Sequence, residues 1–141
     1  NRYFDAAPAI AFIKNFGLKE GAIASCIAHD SHNIVAVGVD DESLARAINL
    51  IIESKGGIAV AHNHGEDVLP LPVAGIMSNH SVDEVAAGYQ SLHFKAKELG
   101  CKLDAPYMSL SFMALLVIPS LKLSDKGLFD GIGFKLTSLH D

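Results

Sequence analysis

Gly21-Ala22-Ile23-Ala24-Ser25-Cys26-Ile27-Ala28 and Ile34-Val35-Ala36-Val37-Gly38-Val39 are two β-prone apolar runs, and between them stand His29-Asp30-Ser31-His32-Asn33. Two such runs around a cluster of turn-forming polar residues read as a hairpin, with the polar five at or near its tip. The chain then supplies a helix. Asp40 and Asp41 can cap it, and Leu44, Ile48, Ile51 and Ile52 fall on one face at helical spacing, with Gly56-Gly57 as its stop. Ile58 to Ala61 reads as a short strand, followed by a polar turn, His62-Asn63-His64-Gly65-Glu66-Asp67. Val68-Leu69 resumes an apolar course that Pro70 and Pro72 confine to a sheet edge.

Upstream of the hairpin, Ile10, Phe12, Ile13 and Phe16 suit a short helix or a bulged strand equally, and periodicity does not decide between them. Downstream, Ser81-Val82-Asp83-Glu84 is a capping box that opens a second helix, with Val82, Val85, Ala86, Tyr89, Leu92, Ala96 and Leu99 as its expected buried stripe and Gly100 as its stop. The tail alternates Leu110 and Phe112 against Ser109 and Ser111, runs through Val117-Ile118-Pro119, and turns at Ser124-Asp125-Lys126-Gly127. Strands and helices do not follow a regular βαβ series, and no glycine-rich loop leads from a strand into a helix. The expected class is α+β, a mainly antiparallel sheet with two to three helices packed on one side. No repeat or linker-like stretch divides residues 1–141, which are expected to form a single domain.

Composition narrows the functional classes. The 141 residues carry a net charge of −5, and half of them are apolar, enough to build a core without staples. Lys and Arg are scattered singly, so a nucleic-acid polymer and an anionic membrane surface are poor partners. The longest apolar stretch, residues 110–118, is far short of the ~20 residues that span a bilayer. The start, Asn1-Arg2-Tyr3-Phe4-Asp5, has no apolar core of a signal peptide and no Met, and is expected to be an internal cut. Cys26 and Cys101 make no CxxC spacing and read as buried thiols of a cytoplasmic protein. Seven His make the one compositional feature that suggests chemistry.

Four of those His fall into two close groups, while His80 and His93 sit at polar positions around the second helix. His62 and His64, at i and i+2 on an extended segment, point to one side and are weak candidates for a shared metal, but the text around them is turn chemistry. His29, Asp30, Ser31, His32 and Asn33 offer two imidazoles, a carboxylate, a hydroxyl and an amide in five residues, able to donate to and accept from a heterocycle. A hydrolytic triad is not implied, since adjacent residues rarely reach its geometry and no GxSxG elbow exists. The plain alternative is a loop whose polar side chains satisfy its own amides.

The ordered motifs add a resemblance. Residues 17–38, with His29-Asp30-Ser31-His32-Asn33 at their centre, closely resemble the C-terminal part of bacterial adenine deaminases of the amidohydrolase superfamily. Leu69-Pro70-Leu71-Pro72-Val73-Ala74-Gly75-Ile76-Met77-Ser78 and Met108-Ser109-Leu110-Ser111-Phe112, the latter followed by Val117 to Leu128, look like further blocks in the same order. At Cys26 the family more often carries Ser, a quiet exchange. The resemblance implies a cytoplasmic purine-salvage enzyme that hydrolyses adenine to hypoxanthine and ammonia, with manganese or iron held in a (β/α)₈ barrel and a homo-oligomeric assembly. Such a barrel needs about 250 residues, so it is absent from this chain, as are its metal ligands. No metal is therefore expected on these 141 residues. The expected partner is the enzyme's own N-terminal barrel, and residues 29–33 are expected to line or brace its adenine pocket. The rival reading is a free-standing metal-binding or oligomerisation module using His29, His32, His62 and His64.

Overall fold

Large and small apolar side chains alternate along the two central strands, and that alternation organises the molecule. In the computed structural model, which describes residues 1 and 3–139, β1 (Ala22–Ser25) pairs antiparallel with β2 (Val35–Gly38) and with β3 (Gly57–His62). β3 in turn pairs antiparallel with β4 (Gly65–Pro70), giving the order β2-β1-β3-β4. Successive strand residues face opposite sides. Ile23, Ile58 and Val60 therefore share one face, and Ala22, Ala24, Ala59 and Ala61 the other.

Each face recruits different helices. The larger side chains pack with Leu92, Ala96 and Leu99 from α2 (Val82–Glu98) and its C-cap, and with Tyr107 and Leu110 from α3 (Pro106–Phe112). The alanine face receives Ala47 and Ile51 of α1 (Asp41–Glu53). The α+β class and the antiparallel sheet are as expected, but the helices are not all on one side: α1 lies across the sheet from α2 and α3. The reason is that the alanines form a second apolar face, where small side chains let a helix lie close to the sheet.

Local signals fare unevenly. Asp40 caps α1, its carboxylate accepting from the Ser43 N–H at 2.7 Å, and both halves of the Ser81/Glu84 capping box form. Ile52, however, is 57% exposed, because the buried face runs through Leu44, Ala47, Ile48 and Ile51. Along α2 the packed part begins near Gly88, which lies against Leu69 of β4, so Val82, at 84% exposure, sits outside the core. The Leu/Ser alternation in the tail belongs to α3, where Pro106 occupies the first turn and Tyr107, Leu110 and Ser111 are buried at helical spacing. Residues 5–17 form neither helix nor strand, and Phe16 anchors them in the core. β4 is an edge strand ending at Pro70, in line with its prolines. A second antiparallel sheet, β5 (Leu121–Ser124), β6 (Gly127–Asp130) and β7 (Lys135–Leu136), follows α3, with Asp125-Lys126 forming its first turn.

Candidate functional site

Strand register separates the two histidine groups. Ser25 pairs with Val35 and Ile58 at one end of the first sheet, whereas Ala22 pairs with Ala61, and His62 with Gly65, at the other. Residues 26–34 loop over the first end, and Asn63-His64 turns the chain at the second. The strands between them span roughly 10 Å. His29 and His32 therefore cannot share a ligand set with His62 and His64, so the four candidate ligands stand as two separate pairs.

At the second end, none of the described residues completes a metal centre. The His62 and His64 rings stand 6.2 Å apart, and the His64 N–H approaches Nδ1 of His62 at 3.4 Å. Glu66 and Asp67 belong to β4 rather than to the turn, and they leave it on opposite faces. Arg46 of α1 donates Nε and Nη2 to Glu66 Oε2 at 3.1 and 3.0 Å, and Lys95 of α2 meets Asp67 Oδ2 at 2.7 Å. Both carboxylates are thus engaged in tying helices to the edge strand. Among the described residues, no three His, Cys, Asp or Glu converge as a metal requires. The described side chains do not fit a metal centre.

The first end is where the polar five lie. His29, Asp30 and Ser31 form an exposed turn, while His32 and Asn33 are half-buried. The His32 N–H donates to the Ala28 carbonyl at 2.7 Å, and His32 takes the left-handed backbone at φ +52°. That conformation is costly for a side chain with a Cβ. It brings the His32 ring edge-on to that of His29, with centroids 5.3 Å apart. Nδ1 of His32 is buried and has no hydrogen-bond partner, which leaves one polar atom of the loop unsatisfied.

Two other segments complete the surroundings. The Tyr3 hydroxyl donates to the Ser31 carbonyl at 3.0 Å, and Asn1 Nδ2 donates to Asp125 Oδ2 at 3.0 Å. Asp125, in the β5–β6 turn, lines an open recess of about 50 Å³ together with Ala114 and residues of the loop and of the start of β2, among them His29, Ser31, Asn33 and Val35. In sequence Asp125 is a turn residue, marked further only by its place in the third motif block. Beneath the loop, the Cys26 thiol donates to the Gly75 carbonyl at 2.7 Å and receives the Gly57 N–H at 3.1 Å, while the Leu71 N–H donates to the Gly56 carbonyl. Three segments distant in sequence, residues 26–34, 71–77 and 114–125, thus gather at one end of the first sheet.

The architecture is that of an α+β protein with a polar loop at one end of its first sheet. The family model for the adenine deaminase C-terminal domain matches residues 1–135, and the chain belongs to that family. It is similar to adenine deaminases of Salinibacter ruber (55% identical over 137 residues, 96% of this chain), Parabacteroides distasonis (56% over 139 residues, 99%) and Methanosarcina acetivorans (54% over 139 residues, 99%). It spans about a quarter of the length of each of them: 25%, 26% and 25%. Among the described residues no helix is long and apolar enough to cross a membrane.

Proposed function

We propose that the full-length protein is an adenine deaminase, converting adenine and water to hypoxanthine and ammonia, and that residues 29–33 line or brace its adenine pocket. The similarity of nearly the whole chain to proteins named adenine deaminase carries the activity. The unpartnered Nδ1 of His32, beside His29 at the polar end of the first sheet, supports the role of the loop.

Adenine presents N1, N3 and N7 acceptors and an N6 amino donor, and an imidazole can complement either kind. His32 offers Nδ1 to such a group, and His29, exposed on the same turn, can carry a proton toward the departing ammonia. Asp30 and Ser31 keep the turn polar, and Asn33 begins the return to β2. Metal chemistry, with manganese or iron, belongs in this reading to the barrel region outside the chain. The 141 residues alone are inactive, and the full-length enzyme is a cytoplasmic homo-oligomer of purine salvage.

The test is to supply adenine to the full-length protein and, separately, to the 141-residue chain, following ultraviolet absorbance and ammonia. The proposal expects one hypoxanthine and one ammonia per adenine from the full-length protein, and neither turnover nor stoichiometric metal from the short chain. No turnover by the metal-loaded full-length protein would sink the assignment.

A further inference from the structure

The second sheet, unlike the first, is not enclosed between helices. Cross-strand partners share a face, so Leu121, Leu123 and Leu128 lie on one side of it and Phe129 and Leu136 on the other. Beyond Phe129, the β6–β7 turn carries Ile132 at 75% exposure and Phe134 at 72%, with Leu136 at 54% on β7. This turn has its own internal order. Asp130 Oδ1 accepts from the Ile132 N–H at 2.9 Å, and the Phe134 ring meets Phe129 edge-on at 5.3 Å. An ordered turn that displays large apolar side chains to water is the usual mark of an interface.

Chain length and geometry identify what covers it. The adenine deaminases similar to this chain are about four times its length, and it corresponds to their C-terminal domain, so in a full-length protein built as they are the bulk of the polypeptide precedes residue 1. The chain comes in beside the second sheet, because Asn1 is bonded to Asp125 in the β5–β6 turn and Tyr3 to Ser31 of the polar loop. From that turn, β6 runs only ~13 Å to the turn that carries Ile132 and Phe134. We propose that the apolar surface around Ile132, Phe134 and Leu136 seats the preceding N-terminal region of the same polypeptide. Asp125 and the 29–33 loop stand toward the other end of β6, so a region seated on that surface and extending along the strand reaches the loop. The inference rests on the reading of this chain as part of a longer adenine deaminase.

Photo-crosslinking in the full-length protein tests it. Phe134 is replaced by p-benzoylphenylalanine, a second variant carries the same probe at Ile132, and unlabelled and ¹⁵N-labelled subunits are mixed before irradiation. The expected product is a crosslink from both positions to peptides N-terminal of residue 1, within subunits of one isotope. Mixed-isotope crosslinks, which would mean that a second copy covers the surface, overturn the proposal. So does an absence of crosslinks from both positions in proteins whose thermal melts match the unsubstituted enzyme. Adenine turnover of the unsubstituted full-length protein is measured alongside, so a failure of the functional assignment is distinguishable from a failure of the docking surface.

Discussion

Cys26 and Gly75, 49 residues apart in sequence, are joined by a 2.7 Å hydrogen bond from the thiol to the carbonyl oxygen. The bond fastens the turn after β4 to the foot of the polar loop, and the same sulfur receives the Gly57 N–H. A serine hydroxyl can make both contacts. Cys26→Ser is expected to leave the fold and the urea midpoint of the 141-residue chain nearly unchanged, whereas Cys26→Ala strands buried backbone groups and costs about 1–2 kcal/mol. Equal midpoints for the two variants would show that the sulfur bonds contribute nothing.

Gly56 faces the same turn from the other side. A Cβ there would lie 2.3 Å from the Gly75 Cα, and the residue holds φ at +128°. Both contact and backbone exclude a side chain. Gly56→Ala is expected to destabilise by about 3 kcal/mol or more, read from urea unfolding; a loss near zero would mean that residues 71–77 do not pack as described.

Helix α2 depends on its first turn. The Ser81 hydroxyl, and then the Ser81 backbone N–H, hold the Glu84 carboxyl below its ordinary range. A depressed carboxylate adds stability that is complete above the unfolded value, near about 4.3, and is lost as pH falls through the lower folded value. Ser81→Ala should cost about 1 kcal/mol at pH 7 and flatten the stability profile on the acid side. An unaltered acid limb in thermal melts would contradict the box.

Tyr107 ties stability to alkaline pH. Its hydroxyl donates to the Ala59 carbonyl at 3.2 Å, and burial, followed by the nearby Tyr89, Asp67 and Cys101, raises its pKa well above the tyrosine range. For a raised group the stability is intact below the unfolded value of about 10 and declines above it, since only the unfolded chain can ionise. Absorbance at the tyrosinate band should show Tyr107 ionising together with unfolding, and Tyr107→Phe should lessen the decline above pH 10. A Tyr107 that titrates freely in the folded chain would contradict its burial.

Features carried by local chemistry were legible in the sequence: the hairpin around residues 29–33, the Asp40 cap, the Ser81 box, the edge position of β4 and the Asp125-Lys126 turn. Features that depend on how faces combine were not. Alanines at 22, 24, 59 and 61 look neutral in a linear reading, yet they make the floor for α1. Glu66 and Asp67 looked like turn residues because their partners, Arg46 and Lys95, are 20 and 28 positions away. The candidate loop was visible as a cluster of residue types, but the position of Tyr3 beside it arises from tertiary folding, and Asp125 was marked only by lying in the third motif block.

If the 29–33 loop serves adenine conversion, steady-state deamination by the full-length protein responds to its imidazoles. His29→Ala removes one imidazole; His32→Asn removes the other while keeping a residue type that tolerates the left-handed backbone of position 32. Both variants are expected to melt with the parent protein and lose roughly ten- to a thousandfold in kcat/KM for adenine, the order expected for lost proton transfer or positioning. Parental kcat/KM in both folded variants would contradict it and return the loop to a purely structural role.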